Sequence, residues 1–173
     1  MPHLVLLRHA KSDWPPNVGD FERPLSQRGI RDCDAVAHYL NNLDIRMETA
    51  IVSPAKRTTQ TFYLVQRSLD QEINCIFEPA IYEAHEQDLL EAIRRQSGSG
   101  VLLVGHGPGV PRLALGLAHN GTSPVAQRLR TKYPTAAVAV LKSDLPWAEW
   151  TTGCAMLQSF EIPRANPQDS DND

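Results

Sequence analysis

Two apolar tetrads, Leu4-Val5-Leu6-Leu7 and Val101-Leu102-Leu103-Val104, stand out along the chain, and each ends abruptly at a polar or glycine residue. Runs of this length without polar alternation predict strands buried on both faces, as in a parallel sheet. Thr49 to Val52, closed by Ser53-Pro54, predicts a third strand, and Asn74 to Phe77 and Ala136 to Leu141 predict two more. Between these segments the apolar residues recur at helical spacing. Ile30, Cys33, Val36, Ala37 and Leu40 share one face of a helix over about 27–42, with Ser26 in place to cap it. Phe62, Val65 and Leu69 do the same for 56–69, and further helices are predicted over 86–95 and 110–118. Lys11 to Pro24 is polar and proline-rich, and Gln96-Ser97-Gly98-Ser99-Gly100 is a turn into the 101–104 strand.

Strands alternating with helices predict an α/β fold, a single-domain, mostly parallel sheet with helices on both faces. At 173 residues and 42% apolar, the chain supplies one sizeable core and too little material for two domains. No solenoid-type repeat is present. From Pro163 to Asp173 the prolines, asparagines and aspartates lack apolar anchors, which predicts a disordered tail with no part in the chemistry and a folded domain over 1–162.

The net charge of −3 and pI near 6.1 give no general attraction to nucleic acid or to an anionic membrane. Any bound anion must therefore be held by a local cluster. Cys33, Cys75 and Cys154 are odd in number and in no metal-like spacing, so neither a disulfide framework nor a zinc site is expected, and a reducing cytoplasm fits. The run at 4–7 stops at Arg8, too soon for a signal peptide or a membrane span.

In an open α/β sheet, ligands collect beyond the carboxyl ends of the strands. Arg8 and His9 directly follow the first tetrad, and Gly105-His106-Gly107-Pro108-Gly109 follows the matching one. Two histidines thus leave equivalent strand ends. Arg57 lies in the first helical turn after the 49–52 strand and adds a second guanidinium above the same edge. Two planar bidentate donors beside opening helix N-termini suit phosphate oxygens. Taken singly, a strand-end histidine is more often a structural, hydrogen-bonded residue, and Arg57 would read as a solvated helix residue. The convergence of Arg8, His9, Arg57 and His106 at one edge carries the phosphoryl reading. Lys11 and Ser12 come directly after His9 and Ala10 and are candidate substrate contacts, each with solvent as the alternative. His3, His38, His85 and His119 have no convergent partners and are assigned no chemistry.

These segments carry a resemblance. Leu6-Leu7-Arg8-His9-Ala10 resembles the Arg-His-Gly signature of the histidine phosphatase superfamily, also called phosphoglycerate mutase-like, with alanine in place of glycine. Ser53-Pro54-Ala55-Lys56-Arg57-Thr58-Thr59-Gln60-Thr61 resembles its Ser-Pro-x-x-Arg-x-x-Gln-Thr segment. Pro24-Leu25-Ser26-Gln27-Arg28-Gly29 is similar to its Pro-Leu-Thr-x-x-Gly turn, and Val104-Gly105-His106 to the block with the second histidine. The blocks fall in the family's order. The short length and the Arg-His-Ala variant resemble the SixA-type phosphohistidine phosphatase branch.

The resemblance implies a phosphoglycerate mutase-like histidine phosphatase domain with no metal and no cofactor. It implies that His9 attacks phosphorus and becomes a phosphohistidine, while Arg8, Arg57 and a protonated His106 hold the phosphoryl group. The implied substrate is a phosphorylated one, a phosphohistidine protein. Three alternatives stand beside it. A metallophosphatase needs carboxylates converging on the histidines, and only Asp13 is near either in sequence. A non-catalytic phosphate-binding module would not require the nucleophile. A phosphomonoesterase acting on small metabolites would need a general acid between Arg57 and His106. Glu83 is the nearest positional candidate, but its surroundings do not resemble those of acid-bearing members, and it reads instead as an exposed loop residue. The chain also has little material for a lid over a small substrate.

Overall fold

The matched tetrads pair side by side, and the rest of the sheet is built outward from them. In a computed structural model describing residues 1–169, β1 (His3–Arg8) lies parallel to β4 (Gly100–Gly105), with Leu4 opposite Val101 and Arg8 opposite Gly105. β2 (Thr49–Val52) runs parallel to both β4 and the edge strand β3 (Asn74–Phe77). On the other side of β1 lie β5 (Val138–Lys142) and β6 (Met156–Glu161), both paired antiparallel. The order is β3-β2-β4-β1-β5-β6, so four strands run parallel and the sheet is mixed at one side. This is the phosphoglycerate mutase-like architecture.

Alternate residues of β1 face opposite layers, which divides the core in two. Val5 and Leu7 pack under α1 (Gln27–Asn41) and α2 (Lys56–Arg67), against Cys33, Val36, Leu40, Phe62 and Val65. Leu4 and Leu6 face α3 (Glu86–Arg94), α4 (Gly109–Leu117) and α5 (Pro124–Thr131), against Leu89, Ile93, Leu113, Leu117 and Leu129. Helices therefore cover both faces. The Ser26 side chain caps α1, accepting from Gly29 N at 3.0 Å. A Cβ on Gly29 would collide with the Lys11 carbonyl oxygen, so glycine there lets α1 press against the loop after β1.

Residues 163–165 depart from the expected disorder. Asp32 of α1 is fully buried and needs cations around it. Arg164 supplies one at 3.7 Å and Arg28 another at 3.5 Å, while Ala165 N donates to Asp32 Oδ1 at 3.1 Å and Arg164 to the Thr135 carbonyl at 3.0 Å. Residues 166–169 form a turn in which Asp169 N donates to the Asn166 carbonyl at 3.0 Å, and 170–173 lie outside the described residues. Among the described residues no helix is long and apolar enough to cross a membrane.

Candidate active site

The register of β1 against β4 sets the site. With Arg8 opposite Gly105, the next residue of each chain segment, His9 and His106, leave the sheet together, and their ring centroids lie 5.3 Å apart. His9 N donates to the Gly105 carbonyl at 3.0 Å, and Ser53 N to the Val104 carbonyl at 3.1 Å, so the ends of β1, β4 and β2 are laced together.

His9 is buried, and its Nδ1 lies 2.8 Å from the Ala10 carbonyl oxygen. A carbonyl oxygen only accepts, so Nδ1 carries the proton and Nε2 keeps its lone pair. Burial, with further repulsion from His106, Arg57 and Arg8, holds its pKa well below that of ordinary histidine. The imidazole is therefore neutral at pH 7 and able to act as a nucleophile. Thr61 ties this segment to α2: its hydroxyl accepts from Ala10 N at 3.0 Å and donates to the Arg57 carbonyl at 2.7 Å. Gln60 Oε1 accepts from Leu25 N at 2.8 Å, fastening the Pro24-Leu25 block to the same helix. The sequence blocks are thus one hydrogen-bonded unit.

Arg8 Nη1 donates to the Tyr133 carbonyl at 2.8 Å, and Tyr133 in turn donates its hydroxyl to the Leu6 carbonyl at 2.7 Å. Arg57 sends Nη1 to the Asp20 carbonyl oxygen at 2.6 Å and Nη2 to Asp20 Oδ2 at 3.0 Å. Tyr82 donates to that same carboxylate oxygen at 2.6 Å, and Arg23 to Oδ1 at 3.1 Å. The Tyr82, Arg23 and Arg57 hydrogen bonds push the Asp20 carboxyl down to about 2, and the Tyr82 hydroxyl is pushed up to about 12. Asp20 is accordingly an anion that fixes Arg57, and sequence reasoning missed it. Arg23 also donates to Ser12 Oγ at 2.6 Å and stacks 3.2 Å over the ring of Trp14, which is 76% exposed.

Arg8, His9, Arg57, His106, Lys11 and Ser12 all wall one cleft of about 250 Å³, so these six predicted residues are brought together. Trp14 and Arg23 complete one side, and no carboxylic acid lines it. Glu83 lines an adjoining cleft of about 340 Å³, together with Asp20, Arg57 and His106. It is exposed, as expected, and holds a left-handed backbone at φ 51°. His85, assigned no chemistry, caps α3 and lines this second cleft. Among the described residues no group of three or more His, Cys, Asp and Glu is arranged to hold a metal ion. A larger depression of about 560 Å³ lies between α1 and the end of β6, away from these residues.

The expected protonation of His106 concerns a site that holds a phosphoryl group; in the free site the ring is neutral. Burial and the charges of Arg57 and Arg8 push its pKa down to about 4, with Asp20 opposing only in part, so it is neutral in the free protein. His106 Nε2 lies 2.7 Å from Ser53 Oγ, and Nδ1 is a buried atom with no hydrogen-bond partner among the described residues. The unfolded chain takes up this proton near pH 6.5 and the folded one only near 4. Stability is therefore full above 6.5 and falls as pH drops toward 4, by about 3 kcal/mol from this group. Thermal melts of His106→Asn are expected to lose less Tm between pH 6.5 and 4.5 than wild type does. An equal loss would show that His106 is not held neutral.

The fold and the paired histidines between two arginines define a class, the α/β phosphoryl-transfer proteins of phosphoglycerate mutase-like architecture. The profile of the histidine phosphatase superfamily, branch 1, matches residues 4–89. An uncharacterized protein of Mycobacterium tuberculosis is 35% identical over 162 residues, covering 91% of this chain and 100% of that one. A solved structure from Nakamurella multipartita, assigned as phosphohistidine phosphatase SixA, superposes with a TM-score of 0.84 at 26% identity, covering 94% of this chain and 96% of the other. One from Agrobacterium tumefaciens with the same assignment gives 0.79 at 26% identity, covering 94% and 99%. The chain belongs to the histidine phosphatase superfamily, and its similarity is to the SixA-type branch.

Proposed function

We propose that this phosphatase transfers the phosphoryl group of a phosphohistidine protein to His9 and then to water. The observation that carries the reading is the His9 ring: neutral, with Nδ1–H fixed on a carbonyl and Nε2 free in a cleft lined by cations. His9 Nε2 attacks phosphorus, an N–P bond forms, and the substrate's own P–N bond breaks. The departing imidazole keeps the electron pair and takes a proton from solvent. The Ala10 carbonyl steadies the charge that develops on the phosphorylated His9 ring. Water then attacks phosphorus, releasing phosphate and restoring neutral His9.

Arg8 and Arg57 hold the phosphoryl oxygens, which is most of what a loose phosphoryl transfer asks of a protein. His106, neutral when the site is free, gains a reason to protonate beside a bound dianion, because an adjacent negative charge favours the imidazolium. Lys11 and Ser12 add contacts at the rim. A phosphate-binding module without activity would have no use for an open Nε2. The free thiols Cys33, Cys75 and Cys154 support placing the reaction in the reducing cytoplasm.

A pocket of guanidinium and imidazole groups needs no metal in this scheme. Phosphate release from a phosphohistidine peptide is expected to be unchanged by chelator and to be inhibited competitively by vanadate. Loss of activity with chelator and its recovery with a divalent ion would overturn the scheme. A second reading, a phosphomonoesterase with Glu83 as general acid, is favoured only by the position of Glu83 in the cleft adjoining Arg57 and His106.

A further inference from the structure

Between α4 and α5 runs a groove of about 380 Å³ that opens into the His9 cleft, with which it shares Arg8 and Gly107. Pro111, Leu115 and Leu129 give it apolar walls, and Arg112, Arg130 and Lys132 give it charge. No aspartate or glutamate lines this groove, and none lines the His9 cleft. On a chain with 20 acidic and 17 basic residues, two joined depressions whose charged lining residues are all basic reverse the overall charge locally, the nearest carboxylates being Asp20, held on Arg57, and Glu83 in the adjoining cleft that Arg112 also borders. Arg112 is exposed, and its guanidinium has no hydrogen bond or ion pair among the described residues. Arg130 is also exposed and spends one donor on the Gly121 carbonyl at 3.1 Å, leaving others for a ligand.

We propose that this groove receives an acidic segment of the substrate protein flanking the phosphorylated side chain, an inference that rests on the reading of the His9 cleft as the phosphoryl site. The position fits, because a side chain delivered to His9 brings its neighbours past Arg8 and Gly107 into the groove. The chemistry favours a peptide over a small polyanion. A polyphosphate would satisfy the guanidiniums but leave the half-buried Pro111 and Leu115 uncovered, whereas a peptide supplies both carboxylates and apolar side chains. Charges at the rim of an interface act chiefly on association rate and salt dependence. The groove therefore selects among phosphorylated proteins through kcat/KM and leaves the chemical step alone.

The test compares wild type with Arg112→Glu/Arg130→Glu on two phosphohistidine peptides, one flanked by acidic residues and one by lysines, with phosphoramidate as a small N–P substrate. Wild type is expected to prefer the acidic peptide by roughly tenfold in kcat/KM at low salt, with the preference fading as salt rises toward about 0.5 M. The variant should lose or invert the preference while turning over phosphoramidate at the wild-type rate. Should the double variant fold poorly, Arg112→Gln serves, with a smaller loss of preference expected. Equal kcat/KM for the two peptides in wild type overturns the proposal, as does a preference unchanged in a folded variant. So does tripolyphosphate inhibition that is lost in the variant while peptide preference stays. If wild type hydrolyses neither N–P peptide nor phosphoramidate, the phosphatase reading has failed. The groove is then judged separately by fluorescence anisotropy with the unphosphorylated acidic peptide. Tighter binding of that peptide to wild type than to the variant supports the groove, and equal binding rejects it.

Discussion

Alanine at position 9 is expected to lower phosphate release by about 10⁴-fold or more while leaving oxyanion binding largely in place. The two halves of that expectation come from different atoms. In the proposed scheme the bond to phosphorus is made by His9 Nε2, and no neighbour can replace it. His106 Nε2 is engaged with Ser53 Oγ at 2.7 Å, and the guanidiniums of Arg8 and Arg57 have no lone pair to offer. Loss of a nucleophile removes the covalent route altogether, and losses of this size or larger accompany such changes. Vanadate binding rests on the arginines, whose anchors at Tyr133 and Asp20 do not involve His9. Acid quench of wild type during turnover of labelled substrate should lose the protein-bound label, whereas alkaline quench should retain it. Position 9 is the site expected to carry it. Full turnover by His9→Ala would remove His9 from the mechanism.

The second large effect concerns the leaving group. An alkoxide leaving a serine phosphate has a conjugate acid near the pKa of water, about 15.7, so a positioned acid is commonly worth about 10² to 10⁴ in rate. Imidazole leaves as the base of an acid near 6.5 and needs little beyond solvent. The His9 cleft holds no carboxylic acid. Asp20, on the far side of Arg57, is pulled down to about 2 and is an anion at any working pH, so it has no proton to give. Glu83 faces the adjoining cleft. The expected result is a kcat/KM for a phosphohistidine peptide at least about 10² above that for the matching phosphoserine peptide, with no change in Glu83→Gln. Equal rates on the two peptides, or a large loss on phosphoserine in Glu83→Gln, would instead establish Glu83 as the acid of a phosphomonoesterase.

The part of the site legible in the sequence was the part fixed by strand pairing. Two near-identical apolar tetrads pair in parallel, so the residues at their carboxyl ends must emerge together, and Arg8, His9 and His106 could be placed by that rule alone. Asp20, Tyr82, Ser53 and Arg23 gave no such signal. Asp20 lies in a single turn of a proline-rich loop and Tyr82 in a turn before α3, and Asp20 meets Arg57 across 37 residues and Tyr82 across 62, separations that no local pattern reports. The neutrality of His106 in the free site gave no signal for a related reason, since burial beside two guanidiniums is a property of the assembled pocket.

Within the fold, β6 was missed because its inward residues, Leu157 and Phe160, do not alternate. A register shift at Val140/Leu141 breaks the period of two. α5 is eight residues long and buries only Ala126 and Leu129, too few for a helical stripe, although Ser123 with Pro124 after it was a readable start signal. The tail at 163 looked unanchored because its anchor is polar: Arg164 is held by a buried aspartate 132 residues earlier in the chain.

The carboxylate of Asp20 on Arg57 gives the cleft a resident counter-ion. A phosphoryl dianion arriving there meets a guanidinium already neutralised and already hydrogen-bonded. Binding is thus an exchange of one ion pair for another, and only the difference between the two is gained. Inorganic phosphate, which brings no leaving group and no flanking chain, gains that difference and nothing else. The internal salt bridge therefore weakens the hold of the cleft on free phosphate and on a substrate's phosphoryl group alike, so a substrate must make up the loss through contacts outside the cleft.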